Sequence, residues 1–303
     1  MIDLSTKIGK LNLKNPVITS SGTFGYGEEY EDFIDLNKLG GFVTKGTFFE
    51  PREGNPYPRI AETASGMLNA IGLQGKGVHY FINETLPRIR KYKTNIIFNA
   101  CGASADAYIK LAEILNEVDD VDAMEVNFSC PNVKAGCMQF GTDGKVAGKL
   151  VKTLRKIYNK TIIIKLTPNV TDIASIAKEI EDAGADAISL INTLKAMAID
   201  AKTRRPKIST VTAGLSGPCI KPVALRMVWE VAKAVKIPVI GLGGISNAED
   251  AIEFLLAGAS AIQIGTANFL DPSISMKVID GINEYLKQNK FNSVQEIIGG
   301  LIL

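Results

Sequence analysis

The chemistry in this chain is concentrated between Ala123 and Thr142, AMEVNFSCPNVKAGCMQFGT. An apolar segment, Ala123 to Phe128, carries Asn127 near its end and runs straight into Ser129, Cys130, Pro131 and Asn132. That is the pattern of a buried strand ending in a loop able to hold a thiol over a pocket. A cysteine beside amide side chains suits proton abstraction or attack on carbon, because the thiolate is the reactive form and its pKa of about 8.5 is readily tuned. Taken alone, a cysteine is more often a small buried hydrophobe, and its setting decides. The single histidine, His79, argues against a triad or a histidine-rich metal site. Cys101, Cys130, Cys137 and Cys219 lack the close pairing of a zinc or iron-sulfur site and are too few for a secreted disulfide scaffold, so free thiols are expected.

The form seen at Asn127, an apolar strand with a polar exit, recurs along the chain. Val17–Thr19 leaves through Ser20-Ser21-Gly22, Phe42–Thr44 through Lys45, Ile96–Phe98 through Asn99, and Thr161–Ile164 through Lys165. Ala187–Ile191 leaves through Asn192 and Thr193, Val239–Leu242 through Gly243-Gly244, and Ala261–Ile264 through Gly265-Thr266. Helical segments alternate with these strands, near Glu28–Leu39, Val78–Tyr92, Ala105–Val118, Lys145–Tyr158, Asp172–Ala183, Val223–Val235 and Ala248–Leu256. A hairpin from Asp3 to Leu13 turning at Gly9 comes first, and two long excursions, Gly46–Gly77 and Thr193–Pro222, interrupt the repeat.

Eight such units describe an α/β chain folded as a (β/α)8 TIM barrel, one domain spanning 1–303, with an N-terminal hairpin at its base and two elaborated βα loops. A doubly wound sheet is the alternative. The barrel is preferred because the polar exits all lie at strand C-termini and no Gly-x-Gly-x-x-Gly follows the first strand.

Bulk composition narrows the partners. The 303 residues are 46% hydrophobic and 22% charged, enough to bury a full core, and the net charge of +2 comes without a sustained basic run. Nucleic acid and anionic membrane are therefore not expected partners. Met1 leads into Asp3, Leu4, Ser5 and Thr6, unlike a signal peptide, and no apolar run reaches membrane length, so a cytoplasmic protein is expected.

The last two strand exits are where barrels commonly hold a phosphate on backbone N–H groups, although structural turns would look the same. Lys45 and Lys165, also at strand ends, point with them to a phosphorylated cofactor carrying an anionic ring, and a reduced flavin is such a ring. Asn69, Asn99, Asn127, Asn132 and Asn192 add amides that can bond the edge of a planar heterocycle.

Several motifs together, Asn127-Phe-Ser-Cys-Pro-Asn132, Asn69-Ala-Ile-Gly-Leu73, Ile191-Asn-Thr193, Gly214-Leu-Ser-Gly217 and the two glycine exits, resemble the catalytic subunit of the dihydroorotate dehydrogenases. Gly54-Asn-Pro-Tyr-Pro-Arg-Ile-Ala-Glu-Thr63 and Lys202-Thr-Arg-Arg-Pro206 resemble the two-subunit, NAD-linked class. The resemblance implies that Cys130 is the base removing the C5 proton of dihydroorotate while hydride leaves C6 for the flavin. It implies substrate contacts from Lys45, Asn69, Ala70, Ile71, Gly72, Leu73, Asn127, Asn192 and Thr193. It implies FMN contacts from Ser21, Lys45, Gly46, Asn99, Asn127, Lys165, Ile191, Gly217, Gly243, Gly244, Gly265 and Thr266. One FMN per chain is expected, with FAD and an iron-sulfur cluster on a partner subunit that passes electrons to NAD, around a homodimer of catalytic subunits within a heterotetramer. The fumarate-linked single-subunit class and dihydropyrimidine dehydrogenase are the alternatives. Cys101 and Cys137 are read as spectators, and the loop Val133–Gly144, with three glycines, as either a lid or a static turn.

One expectation comes from the residues alone. Glu125 lies two before Asn127, and strand residues two apart share a face, so Glu125 should point into the barrel interior. A lone buried carboxylate is costly, so Glu125 should be paired, with Lys165 as first candidate, or else protonated.

Overall fold

A computed structural model of the chain describes residues 2–128 and 137–303. Cys130 and Asn132 lie outside them. The described strands are β1 (Thr6–Ile8), β2 (Leu11–Leu13), β3 (Val17–Thr19), β4 (Gly41–Val43), β5 (Ile60–Thr63), β6 (Gly66–Asn69), β7 (Asn95–Ala100) and β8 (Ala123–Asn127). They continue as β9 (Thr161–Lys165), β10 (Ala187–Leu190), β11 (Leu194–Met197), β12 (Ile199–Asp200), β13 (Arg205–Pro206), β14 (Thr212–Ser216), β15 (Val239–Leu242) and β16 (Ala261–Ile264). Eight of them close into a barrel in the order β3-β4-β7-β8-β9-β10-β15-β16, with every neighbouring pair parallel. This is the (β/α)8 barrel that the strand and helix alternation predicts.

Alternation along each strand sorts side chains into two sets. Ile162, Ile164, Ile188, Ile262 and Ile264 belong to the core between strands and helices. Ile18, Val43, Ile97, Ala123, Ile163, Ala187, Ile240 and Ala261 form a separate cluster inside the barrel, and Ile8, Leu11 and Leu13 of the N-terminal hairpin join it. The hairpin therefore closes one end with apolar side chains. Two residues further along the same faces stand Ser20, Lys45, Asn99, Glu125, Lys165, Ser189, Leu242 and Gln263. Because strand side chains repeat every two residues, a filled apolar layer at the bottom delivers a polar layer near the C-terminal mouth.

The two excursions, far apart in the chain, build one structure. They contribute β5, β6, β11 and β14 to a four-stranded antiparallel sheet in the order β11-β14-β6-β5, with Gly214 opposite Asn69. Sequence reading treats them as separate loops, since pairing between segments more than a hundred residues apart leaves no local periodicity.

Four further differences concern the helical segments. The expected helix Glu28–Leu39 is instead two short 3-10 turns, Glu28–Tyr30 and Leu36–Lys38. Asp35 accepts from the Asn37 N–H at 3.0 Å, an alternative to helical bonding, and Phe24 stacks on Tyr30 with centroids 4.2 Å apart. The helix expected at Val78–Tyr92 runs from Gly77 to Ile89 and contains a π-helical turn, Phe81–Thr85, just ahead of Pro87, which has no N–H to donate. Of the segment Val133–Gly144, Cys137–Thr142 is helical, Gly144 starts helix Gly144–Ile157, and residues 133–136 lie outside the described residues. Helix Ile274–Gln288, absent from the sequence reading, buries Ile274, Val278, Ile282 and Leu286 and packs on helix Ala248–Leu256. Among the described residues no helix is long and apolar enough to cross a membrane.

Candidate active site

The polar strand ends converge on one cavity of about 330 Å³ at the C-terminal mouth of the barrel. Ser21, Lys45, Gly46, Asn69, Ile71, Gly72, Leu73, Asn99, Asn127, Lys165, Ile191, Asn192, Thr193, Gly217, Gly243, Gly244, Gly265 and Thr266 all line it. Ala70 does not. Its side chain packs in a small cluster with Leu68, Ile208 and Ala213 behind the wall. Its N–H donates to Arg59 O at 2.8 Å and its carbonyl accepts from Asn55 Nδ2 at 3.0 Å, so its backbone is committed to the fold.

The floor is a hydrogen-bonded polar layer centred on Glu125, which is completely buried. Asn99 Nδ2 donates to Oε1 at 2.7 Å, Gln263 Nε2 to Oε2 at 2.7 Å, and Ser189 Oγ to Oε2 at 2.8 Å. Lys165 Nζ lies 3.3 Å from Oε1, forming the ion pair expected from strand geometry, and donates to Gln263 Oε1 at 3.3 Å. Five strands supply this cluster. A buried carboxylate with one partner is a poor arrangement, but here both oxygens accept and the cation is local, so the desolvation cost is offset. Lys165, 3% exposed, is held beneath the cavity by that pair.

On one side the wall is made of amides. Asn192 Nδ2 donates to Asn127 Oδ1 at 3.3 Å, and Asn69 Nδ2 to Gly214 O at 3.5 Å. Gly214 is required there, since a Cβ would stand 2.2 Å from Thr193 Oγ1. Phe128 and Phe140 stack with centroids 5.7 Å apart on either side of residues 129–136. The residues that flank that segment in sequence therefore pack together.

On the other side lie the glycine exits. Gly243 and Gly244 have φ of +128° and +84°, and a Cβ would meet Ala224 Cβ at 2.7 Å and Lys221 Cβ at 2.8 Å respectively. No hydrogen bond runs from the N–H groups of Gly243, Gly244, Gly265 or Thr266 to another described residue. All four residues line the cavity. Asp250 braces the turn, accepting from Ser246 N at 2.8 Å, Ser246 Oγ at 2.7 Å and Lys221 Nζ at 2.6 Å. Burial alone would raise the Asp250 carboxyl, but the Lys221 and Ser246 bonds outweigh it and hold it below the usual carboxylate range.

The sequence alone assigns no role to Ser20, Ser189, Ser216 or Gln263. Ser20, Ser216 and Gln263 line the cavity, and Ser216 Oγ accepts from Thr266 Oγ1 at 2.8 Å. The signal for Ser189 and Gln263 is the one used for Glu125, a polar residue at an inward position of an otherwise apolar strand.

The family model described as dihydroorotate dehydrogenase matches residues 3–286 of this chain. The chain belongs to the dihydroorotate dehydrogenase family. It is 62% identical over 301 residues to a protein of Bacteroides thetaiotaomicron named dihydroorotate dehydrogenase B (NAD(+)), catalytic subunit, the alignment covering 99% of each. Relatives of the same name are 55% identical in Porphyromonas gingivalis, over 100% of this chain and 99% of theirs, and 54% identical in Geotalea uraniireducens, over 99% and 98%. As a dihydroorotate dehydrogenase family member it is an oxidoreductase.

Proposed function

We propose that this chain oxidises (S)-dihydroorotate to orotate in pyrimidine biosynthesis, as the FMN-carrying catalytic subunit of an NAD-linked enzyme. One arrangement carries the reading. A single cavity joins an amide and lysine face, Lys45, Asn69, Asn127, Asn192 and Thr193, to a phosphate-type cradle at Gly243, Gly244, Gly265 and Thr266.

The cradle's N–H donors fit the FMN phosphate, while Ser21, Gly46, Asn99, Lys165, Ile191 and Gly217 would surround the rest of the group. FMN, when bound, supplies the acceptor for the substrate's hydride. Lys165 places a positive charge where electron density collects. Lys45 offers an ammonium to the substrate carboxylate, and the asparagine amides bond the ring edge and fix its orientation. Ile71, Gly72 and Leu73 shape the loop around it. Cys130 takes the C5 proton, which the adjacent C4 carbonyl acidifies. Its place in the sequence, three residues after Asn127, and the packed flanks of its segment support that role.

The whole chain reads as one FMN-binding domain. Its relatives are named catalytic subunits of NAD(+) enzymes, and this chain has no dinucleotide fingerprint or cluster-spaced cysteines. A partner subunit with FAD and an iron-sulfur cluster therefore carries electrons to NAD from a cytoplasmic assembly built on a homodimer of this chain. The test is to purify the chain alone, record its visible spectrum, and offer dihydroorotate with an artificial acceptor and then with NAD. Yellow protein active with the dye but not with NAD supports both parts. Turnover of dihydrouracil in preference to dihydroorotate, or full activity with NAD, rejects the assignment. Cys130→Ala should keep its flavin and lose about 10²–10⁴-fold in rate, and Cys130→Ser should need higher pH.

A further inference from the structure

We propose that Glu125 is a positioning residue that sets the donor and acceptor direction of the amides around the cavity, and that the thiol of Cys101 carries this direction from the floor to Asn127 and Asn192. The proposal rests on the reading above that Asn127 and Asn192 face the substrate. A side-chain amide has nearly isosteric ends, so its partners alone decide which end faces where. An ionised carboxylate can only accept. Asn99 therefore turns Nδ2 to Glu125, at 2.7 Å, and its Oδ1 faces Cys101 Sγ at 3.4 Å. An amide oxygen cannot donate, so the S–H of Cys101 does.

The sulfur then has lone pairs left for Asn127, whose Nδ2 lies 3.7 Å away. With Nδ2 directed there, Asn127 Oδ1 accepts from Asn192 Nδ2 at 3.3 Å, and Asn192 Oδ1 accepts from Thr193 N at 2.7 Å. Across the floor Gln263 obeys the same source, Nε2 toward Glu125 at 2.7 Å and Oε1 toward Lys165 at 3.3 Å. Reversing Asn127, Asn192 or Gln263 would set donor against donor, and reversing Asn99 would set its oxygen against the Glu125 carboxylate. Cys101 itself is 1% exposed, so bulk water does not stand in for either bond. A cysteine without a chemical step thus has a structural reason to be a hydrogen-bonding residue at this point.

Serine at position 101 keeps a donor and an acceptor, and alanine keeps neither. Orotate is titrated into the flavin-loaded chain and followed through the flavin absorption. Cys101→Ala should bind orotate about tenfold more weakly, equivalent to about 1.4 kcal/mol, with flavin retained, and Cys101→Ser should restore most of the affinity. Equal affinity in all three proteins, or equal loss in both variants, overturns the proposal. A second readout needs neither flavin nor orotate. The infrared difference between wild type and Cys101→Ala isolates one S–H stretch, expected below that of a simple thiol in an apolar solvent and moving toward it in Glu125→Gln. A band at the unbonded position, or one indifferent to Glu125→Gln, sinks the chain of bonds. A protein that takes up no flavin or ignores orotate would instead sink the functional reading, while the infrared band still decides this proposal.

Discussion

Glu125→Gln is the sharpest probe of the barrel floor, because it removes a charge while keeping nearly the same shape. The native carboxylate has no exposed surface and takes four donors on two oxygens. In the variant one oxygen becomes an NH₂. At Oε2, Gln263 could accept from it only by swinging its own Nε2 toward the Lys165 ammonium, whereas at Oε1, Asn99 can reverse and accept, which takes its oxygen away from Cys101. Lys165 also loses its opposite charge while remaining buried. Removing one member of a buried ion pair costs about 3–5 kcal/mol, and at roughly 2–3 °C per kcal/mol for a chain of this size the melting temperature should fall by about 10 °C. Lys165→Met leaves the carboxylate with its three neutral donors and should cost less, about 1–3 kcal/mol. In the double variant no buried charge is left unpaired, so the two effects should fall short of additivity by about 2 kcal/mol. The assay is thermal or urea unfolding of the four flavin-stripped proteins, since bound flavin would add its own stabilisation. A Glu125→Gln protein within about 1 kcal/mol of wild type, or strict additivity in the cycle, would refute the account of the floor.

Other outcomes follow from the glycine side of the cavity. Asp250 is held below its unfolded pKa, so its bonds stabilise fully above about pH 4 and their contribution fades as pH falls through the lower folded value. Asp250→Asn should therefore melt below wild type at neutral pH, with the gap narrowing under acid, and a gap that widens instead would reverse the sign. Gly244→Ala puts a Cβ 2.8 Å from Lys221 Cβ at φ +84°, so it should lose about 1–3 kcal/mol and bind less flavin per chain, read from the visible spectrum. Gly265→Ala meets nothing closer than Ser20 Oγ at 3.6 Å and should fold normally, so any loss of flavin there reports on the cradle rather than on stability.

Much of this was legible along the chain because it depends on period and position. Apolar triplets and quartets ending in Lys45, Asn99, Lys165 or a glycine pair announce strands whose C-termini share one face, and Glu125, two before Asn127, announces a carboxylate turned inward. Helices with a stripe such as Leu111, Ala112 and Leu115 announce themselves equally well. The expected helix at Glu28–Leu39 failed because Asp35 offered its own side chain to the backbone and because Tyr30 was committed to Phe24, neither of which periodicity registers. Ala70 stands apart from the cavity lining for a related reason. A motif names a stretch, but only packing decides which of its residues turns toward the cavity and which anchors the stretch from behind.

Order along the chain and the alternation of faces thus determined, by themselves, a barrel with polar strand ends and the residue types at its mouth. Tertiary structure alone decided which of those ends meet. Gln263, Ser189 and Asn99 reach Glu125 from strands separated by as many as 138 positions in sequence, and the two excursions pair Gly214 with Asn69 to wall one side of the cavity. Such contacts depend on barrel closure and strand register. Both are properties of the whole sheet, set when all eight strands pack at once, and no window of sequence contains them.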